Sequence, residues 1–370
     1  MNLLLLLFHL AYAGLLLVFS FGFYMAGRRF RAGNPSKMPS ATVLVPFRNE
    51  QANLPGLLSD LLKQDYPRDL LEIIFIDDHS SDHGAELVAS YGKQVKIIRL
   101  PDTSMGKKAA LEAGVAASSS EWILTTDADC RLPKGWVSSL IRVGHASGAC
   151  MVCGTVDIAW QSVSPLSVLQ VLETHLLQRM GAASLSLGFP LLNTGASLAF
   201  RRDAFIEVGG YSANRHLASG DDTFLLLAMH SAHPGRVVPC ILPESRVTTA
   251  AEPDWGAYLA QRHRRASKVG HYRSPSILLL GAFLFLAQCT TWIALVQFIL
   301  GILSFPMLTL FLALRFLPEI LLLGSRLPLR HLLAAVPVSL VFPLLNMVSI
   351  LPLGASGQTW KGRPLVNKKH

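Results

Sequence analysis

The stretch LEIIFIDDHSSD, residues 71–82, joins a short run of apolar β-formers to an abrupt cluster of acids and turn residues. A short apolar run that ends at turn residues is typical of a buried strand. The same pattern recurs in TVLVPFRNE (42–50), KQVKIIRL (93–100) and EWILTTDAD (121–129), and helical patterns intervene at 50–64 and 106–118. Strands that alternate with helices predict βαβ units and therefore an α/β domain with a doubly wound, mostly parallel sheet.

Polar side chains follow three of these strands, at residues 46–50, 77–80 and 127–129. In an open α/β sheet, ligands bind outside the carboxyl ends of the strands, so these groups are expected to converge. Asp127 and Asp129 are separated by one residue, and in an extended backbone their carboxylates would lie on one face. A polar turn explains any single cluster. The convergence of all three favours a site for a metal ion and an anionic substrate.

The two ends of the chain are more apolar than its middle, although only 15% of the 370 residues are charged overall. Residues 1–27 contain no Asp, Glu, Lys or Arg and are followed by Arg28, Arg29 and Arg31. This segment is long enough to cross a bilayer core of about 30 Å. The positive-inside rule predicts that the amino terminus lies outside and that the next domain is cytoplasmic.

The carboxy-terminal sequence also predicts membrane helices. The number of membrane spans in the whole chain stays open at three to five. Residues 274–314 carry no charged side chain and allow two spans with a turn near 304–306, and a further apolar stretch follows at 331–353. Arg315 and Glu319 are expected to form an ordinary interfacial pair on one helix face. The predicted domains are a transmembrane anchor (1–27), a cytoplasmic domain (32–273), transmembrane helices (274–353) and a basic cytoplasmic tail (354–370).

Net charge and cysteine content limit the possible binding partners of the protein and the redox compartment in which it is expected. The formal net charge of +9 suits anionic lipid headgroups and a phosphate-bearing substrate. We find no aromatic–basic nucleic-acid module, so nucleic acid is not an expected partner. The five cysteines show no disulfide framework, which predicts reduced thiols. Separately, the expected location of the protein is a bacterial inner membrane.

The order and spacing of VLVPFRNE, FIDDHSSD, GKKAAL and TTDADC resemble the nucleotide-binding half of family 2 glycosyltransferases. The resemblance continues through NTGASLAFRRDAF (193–205), GGYSANRHLASGDDTFLLLAM (209–229) and QRHRRASK (261–268). Apolar segments on both sides are similar to those of the membrane-bound branch of the family. The resemblance implies a GT-A-type fold and a nucleotide-sugar donor, with a UDP-sugar favoured.

The resemblance also implies a role for each matching residue on the donor side. Asp127 and Asp129 would bind Mg²⁺ or Mn²⁺, hard cations that suit carboxylate and phosphate oxygens. Asp78 would contact uracil or ribose, and Lys107 would face the phosphates. A capping turn at the Asp77–Asp78 pair and a solvated surface lysine remain the structural alternatives. The implied donor-nucleotide contacts are Pro46, Arg48, Glu50, Asp77, Asp78, Lys107 and Asp127.

On the acceptor side, the resemblance implies that Asp222 is the general base, with Asp221 beside it where many relatives have Glu. Helix capping, worth about 0.3–1 kcal/mol, is the structural alternative. Gln261 and Arg264 match the family's Q-x-x-R-W segment and are implied to serve the acceptor or diphosphate, but Arg265 stands where the family has Trp. This departure favours addition of one sugar to a glycan or lipid over processive synthesis. The other basic residues of this segment, Arg262, Arg265, Lys268 and Arg273, are expected to anchor it to the lipid surface.

The resulting prediction is a membrane-anchored, metal-assisted, inverting glycosyltransferase with a cytoplasmic catalytic domain. A nucleotidyltransferase on the same fold is one alternative, but PFRNE occupies the place of its usual Gly/Lys-rich loop. A catalytically inactive membrane scaffold is the other alternative. Such a scaffold would typically lack the acids, whereas Asp78, Asp127, Asp129 and Asp222 are all present.

Overall fold

The computed structural model describes residues 2–33, 35, 37–159, 164–214, 221–266, 275–324, 337–338, 340–350, 359–360 and 363–364. The chain divides into two compact units. The apolar-helix unit comprises Met1–Tyr24, Trp160–Ala183 and Ala251–Ala355, and the α/β unit comprises Met25–Ala159, Ser184–Ala250 and Ser356–His370. The predicted domain boundaries stay predictions.

The helices follow the chain order. They are α1 Asn2–Arg29, α2 Leu54–Leu62, α3 Gly84–Ala89, α4 Lys107–Ala117, α5 Trp136–Ser147, α6 Pro165–Ser186, α7 Arg202–Glu207, α8 Asp221–Ala232, α9 Trp255–Ala266, α10 Pro275–Ile299, α11 Phe305–Leu323 and α12 Phe342–Ile350. Short 3₁₀ helices lie at Arg68–Leu70, Gly92–Gln94, Ser212–Asn214 and Pro243–Ser245.

The strands are short, as the sequence predicts. They are β1 Ala41–Phe47, β2 Leu71–Asp77, β3 Lys96–Arg99, β4 Trp122–Thr125, β5 Cys130–Arg131, β6 Met151–Cys153, β7 Val156–Ile158, β8 Leu198–Arg201, β9 Val237–Pro239, β10 Val247–Thr249, β11 Thr359–Trp360 and β12 Arg363–Pro364. The last two form a small antiparallel pair.

The main sheet of the α/β unit has seven strands in the order β3-β2-β1-β4-β8-β6-β9. Neighbouring strands from β3 to β4 are parallel, β8 is antiparallel to both β4 and β6, and β6 is parallel to β9. A separate sheet has the order β5-β10-β7. The predicted mostly parallel, doubly wound α/β fold is confirmed.

Helices cover both faces of this sheet, which explains why its strands are apolar on both sides. Successive strand residues point to opposite faces, so Val43 packs with α2 and α5 whereas Leu44 packs with α4 and α8. The first cluster holds Leu57 and Leu58 of α2 with Trp136 and Leu140 of α5. The second holds Leu111 of α4 with Leu225 and Met229 of α8. The sheet is therefore a rigid base from which the loops at its carboxyl edge project.

The apolar-helix unit contains helices long and apolar enough to cross a membrane, and among the described residues three qualify: Asn2–Arg29, Ile277–Ile299 and Phe305–Leu323. The prediction of apolar helices at both ends of the chain is confirmed. Helix α10 ends at Ile299 and α11 begins at Phe305, so the connection between them ends at the predicted turn at 304–306. Of the apolar stretch 331–353, α12 and a few neighbouring residues are described, and the rest lies outside the described residues.

Arg315 and Glu319 form the predicted pair on α11, and the pair is buried within the helices; its position at the membrane interface stays a prediction. Arg315 is 2% exposed and Glu319 5%. The Tyr12 hydroxyl of α1 donates to Glu319 at 2.6 Å and accepts a hydrogen bond from Arg315. The pair is buried because α1, distant in sequence, supplies a third polar partner.

Candidate active site

The loops that follow β1 and β2 are joined to one another at the carboxyl edge of the sheet. The Asp78 amide donates to the Phe47 carbonyl at 2.9 Å, which aligns the two strand ends. Beyond them, the Asn49 carboxamide oxygen accepts from the Ser81 amide at 2.7 Å, and the Asn49 amide donates to the Ser80 hydroxyl at 3.1 Å. The edge that sequence reasoning selected is therefore a rigid polar surface.

Asp78 is 2% exposed and connects this edge to the start of α4. One of its carboxylate oxygens accepts the Gly106 amide at 3.0 Å, and the other lies 3.1 Å from His79 Nδ1. Gly106 precedes α4 with a φ of 94°, a conformation that favours glycine. Arg48 donates to the Asp78 carbonyl at 3.3 Å. Asp78 thus fixes the helix terminus on which Lys107 lies.

The other predicted donor-side residues make local contacts at the same edge. The Asp77 carboxylate accepts the Ser80 amide at 2.9 Å, the turn-forming contact that sequence reasoning gave as its structural alternative. Glu50 accepts the Asn53 side-chain amide at 2.7 Å. Pro46 lies within β1. These residues shape the edge, and their contact with a nucleotide remains a prediction.

Asp127 and Asp129 lie in a turn, so the expectation of an extended backbone is wrong at this point. Strand β4 ends at Thr125, and the Cys130 amide donates back to the Asp127 carbonyl at 3.2 Å. Lys107 Nζ lies 2.7 Å from Asp127 Oδ1. Asp129 keeps solvent-exposed surface, yet desolvation of its carboxylate and, after that, the charge of Asp127 raise its pKa. The two acids therefore repel each other beside a lysine and a helix amino terminus.

These residues fit a divalent cation that arrives together with a diphosphate. Within the described ranges, no group of three or more His, Cys, Asp or Glu side chains is placed to hold a metal ion alone. Mg²⁺ is usually bound through one or two carboxylates together with substrate phosphates and water. Asp127 and Asp129 supply such a pair. The pKa of Asp129 is raised first by desolvation and second by the charge of Asp127, and a cation would offset that second contribution.

Asp222 lies in the first turn of α8, in the same unit as the acidic turn. Its carboxylate accepts the Gly195 amide at 3.3 Å, and the Gly195 carbonyl accepts the Thr125 hydroxyl at 2.9 Å. The backbone of Gly195 therefore links Asp222, through its N–H, to the end of β4, through its carbonyl, two residues before Asp127. Gly195 thus connects the predicted base to the strand that precedes the predicted metal ligands. Asp221 begins α8, and its side chain lies outside the described part of the chain.

Gln261 and Arg264 lie on α9, in the apolar-helix unit. The Gln261 side-chain amide donates to Glu252 at 2.6 Å. Desolvation lowers the pKa of Arg264, Glu252 opposes that shift, and Arg265 adds to it. Glu252, which sequence reasoning missed, thus contacts Gln261 directly and acts on Arg264 through its charge. The signal available was a pair of acids, Glu252 and Asp254, shortly before the basic residues that start at Arg262.

The expectation that Arg262 belongs to a lipid-surface anchor is wrong. Arg262 is 7% exposed and forms an ion pair with Glu173 of α6. Its guanidinium also donates to the Tyr258 hydroxyl at 3.0 Å. Arg265 is exposed, as an anchor requires. The predicted anchor residues Lys268 and Arg273 lie outside the described residues.

Residues 42–209 match the family model described as Glycosyl transferase family 2. The chain contains a family 2 glycosyltransferase domain. Over 242 residues it is 27% identical to the probable glycosyltransferase YdaM of Bacillus subtilis, and this alignment covers 63% of the chain and 56% of YdaM. Over 118 residues it is 33% identical to the undecaprenyl-phosphate 4-deoxy-4-formamido-L-arabinose transferase of Yersinia enterocolitica, covering 30% of the chain and 35% of that enzyme. The chain thus spans little more than half the length of YdaM.

The glycosyltransferase domain also has a counterpart among solved structures. The mannosyltransferase PcManGT of Pyrobaculum calidifontis, determined in complex with GDP-Man and Mn²⁺, superposes with a TM-score of 0.58 at 21% identity. This likeness covers 94% of the chain and 100% of PcManGT. It confirms the predicted GT-A fold, which the order and direction of the strands already indicate.

Proposed function

We propose that this protein is a membrane-associated, metal-assisted, inverting glycosyltransferase that moves a sugar from a nucleotide-diphosphate sugar to a lipid or glycan acceptor. The observation that carries the proposal is the 2.7 Å contact of Lys107 with Asp127, beside Asp129 and at the amino terminus of α4. Positive charge, a helix terminus and paired carboxylates meet where a diphosphate and its cation would bind. The proposed location is a bacterial inner membrane, with the catalytic unit in the cytoplasm.

The donor half of the site follows from these charges. When bound, Mg²⁺ or Mn²⁺ neutralises the negative charge that develops on the departing diphosphate. Asp127 and Asp129 would hold the cation, and Lys107 would exchange its contact with Asp127 for one with a phosphate oxygen. Asp78 would contact the nucleoside, with Arg48, Glu50, Asp77 and Pro46 shaping the surrounding edge. The complex of PcManGT with GDP-Man and Mn²⁺ supports a donor of this class, and we favour UDP as the carrier.

The acceptor half requires a base when the acceptor is a hydroxyl. The acceptor oxygen forms a bond to the anomeric carbon as the bond from that carbon to the diphosphate breaks. Asp222 takes the hydroxyl proton, for which its carboxylate must be ionised and within hydrogen-bond reach. Because the attack is a single displacement on the face opposite the leaving group, it inverts the anomeric configuration. Asp221, Gln261 and Arg264 are proposed to contact the acceptor or the diphosphate.

The chemistry of Asp222 also distinguishes the two acceptor classes. A lipid phosphate is already ionised at neutral pH and presents an oxyanion, so it needs no base, whereas a sugar hydroxyl does. General base catalysis is typically worth about 10²–10⁴-fold in rate. With a hydroxyl acceptor we therefore expect Asp222→Asn to reduce turnover by about that factor, and with a lipid phosphate the reduction should be small. The names of relatives that act on undecaprenyl phosphate support testing the lipid phosphate first.

The first test is calorimetric binding of UDP and GDP to the detergent-solubilised protein, with and without Mn²⁺. We expect binding that requires Mn²⁺ and that weakens by at least about tenfold, or about 1.4 kcal/mol, in Asp129→Ala. The matched control is Asp69→Ala, which removes an exposed carboxylate from a 3₁₀ helix of the same unit. Equal binding without metal, or no binding of either nucleotide, would contradict the proposal and favour the inactive scaffold.

A further inference from the structure

Lys108 follows Lys107 on α4 but points in a different direction, because consecutive helix residues are rotated by about 100°. Lys107 Nζ contacts Asp127, whereas Lys108 is 5% exposed and packs inside the α/β unit. Lysine is rarely buried to this extent unless its ammonium has partners. The partners of Lys108 therefore indicate why a cation is kept at this position.

The ammonium of Lys108 reaches the chain on both sides of the predicted base. Lys108 Nζ donates to the Asn214 carbonyl at 2.7 Å. It also lies 5.2 Å from the centre of the Phe224 ring, within the range of a cation–π interaction. Asn214 ends the 3₁₀ helix at Ser212–Asn214, and Phe224 lies two residues after Asp222 in the first turn of α8. Phe224 is itself only 7% exposed.

We propose that Lys108 is a positioning residue for the transferase reaction, which sets the place of Asp222 relative to the donor phosphates. This inference rests on the proposed function. Helix α4 presents Lys107 to the acidic turn and, through the next residue, holds the start of α8. The backbone of Gly195 forms a second link between that start and β4, with its N–H donating to Asp222 and its carbonyl accepting from Thr125. Asp222 is thus held from two directions against the elements that carry the donor site.

Such a link matters because the rate of a displacement depends steeply on the geometry of its reacting groups. A misplacement of about 1 Å reduces rates by as much as about 10²-fold. The methylene groups of Lys108 fill space that a methionine would also fill, whereas the carbonyl and ring contacts need the ammonium. A role in packing alone therefore predicts a different outcome from a role in positioning.

The test compares Lys108→Met with Lys108→Arg, which retains a cation, and with Lys96→Met as the matched control. Lys96 is an exposed lysine on β3 of the same unit. Affinity is measured for UDP and GDP with Mn²⁺. Turnover is measured as release of UDP from UDP-glucose and of GDP from GDP-mannose with water as the acceptor, because a hydroxyl acceptor is the class for which Asp222 is the proposed base. Hydrogen–deuterium exchange across residues 221–232 reports on the start of α8 without any substrate.

For Lys108→Met, we expect nucleotide affinity within about twofold of the wild type, turnover lower by about 10–100-fold, and faster exchange at the start of α8. Lys108→Arg should recover part of the turnover, and Lys96→Met should match the wild type. Unchanged turnover and exchange in folded Lys108→Met would overturn the proposal. So would a loss of nucleotide affinity as large as the loss of turnover, because Lys108 would then contact the donor.

Two additional arms keep the outcome decisive. If Lys108→Met does not fold, Phe224→Leu removes the ring contact alone and should shift exchange and turnover in the same direction by a smaller amount. Unchanged values in Phe224→Leu would then count against the proposal. If the wild type binds neither UDP nor GDP, the proposed function fails, and the exchange at α8 still decides whether Lys108 holds that helix.

Discussion

His79 has a backbone conformation that glycine adopts more readily, with a φ of 60°. The neighbouring loop contains a second such residue, Asn49, with a φ of 53°. Non-glycine residues in this region are uncommon, and Asn and His are enriched among them. Both residues lie at the carboxyl edge of the sheet, where strained backbone often accompanies a binding function. At His79 the strained conformation brings the imidazole to Asp78.

We expect the variants His79→Gly and His79→Ala to separate the strain from the side-chain contact. Both lose the imidazole, but only glycine relieves the backbone strain, which is of order 1 kcal/mol. His79→Gly should therefore melt about 2–4 °C above His79→Ala. Thermal unfolding in detergent measures the difference. Equal melting temperatures would show that the surrounding hydrogen bonds, rather than the residue type, determine the stability of this loop.

At the scale of the element, α9 has two faces that its run of basic residues conceals. Arg262 is buried against Glu173 and Tyr258, whereas Arg265 is exposed. The Arg262 guanidinium also donates to Asn346 of α12. Arg262 therefore contacts both α6 and α12, and it acts together with Tyr258, which also donates to Glu173. A role as a surface anchor remains a prediction for the exposed residues of α9.

Removal of one partner from a buried ion pair leaves the other charge uncompensated, which costs about 3–5 kcal/mol. We therefore expect Arg262→Ala to lower the melting temperature of the detergent-solubilised protein strongly. Arg265→Ala is the matched control and should change the free energy of unfolding by no more than about 0.5 kcal/mol. If the two variants melt together, the ion pair of Arg262 is not a stabilising contact in solution.

At the scale of the whole molecule, charge and hydropathy determine the expected arrangement in a membrane. Helix α1 and the apolar helices α10 and α11 are long enough to cross one. Arg28, Arg29 and Arg31 follow the apolar part of α1, so we expect from the positive-inside rule that the end of that helix lies on the cytoplasmic side. A cytoplasmic location also gives the proposed site access to nucleotide sugars.

Cysteine labelling in right-side-out vesicles of a bacterial host tests this arrangement. We expect a membrane-impermeant maleimide to label Asn2→Cys before permeabilisation and Lys63→Cys only after it. Both positions are exposed, and the native Cys130, Cys150, Cys153 and Cys240 are buried, which limits background labelling. Labelling of Lys63→Cys in intact vesicles would place the α/β unit outside and contradict the proposed location.

Much of the fold and part of the site follow from local patterns in the chain. The strands β1, β2 and β4 lie where apolar runs end in polar clusters, because burial on both faces of a sheet leaves that mark in the sequence. The convergence of Asp78 and Asp127 at one edge follows from parallel strand order. The turn at Asp127–Asp129 could not be predicted from these local patterns, because the residue at which β4 ends depends on the neighbouring strands rather than on the composition of β4.

The sequence by itself determined the α/β class, the apolar helices at the ends, and the acids and lysine at the carboxyl edge of the sheet. These features depend on hydrophobic periodicity and residue chemistry, which are local. Only the tertiary structure decided which charges are buried and what they hold. Lys108 and Lys107 are adjacent and chemically identical, and Arg262 and Arg265 differ by three positions on one helix. Their roles differ because segments distant in sequence supply partners for only one residue of each pair. Asn214 and Phe224 make burial of Lys108 favourable, and Glu173 does so for Arg262. Lys107 is left at the site and Arg265 in solvent.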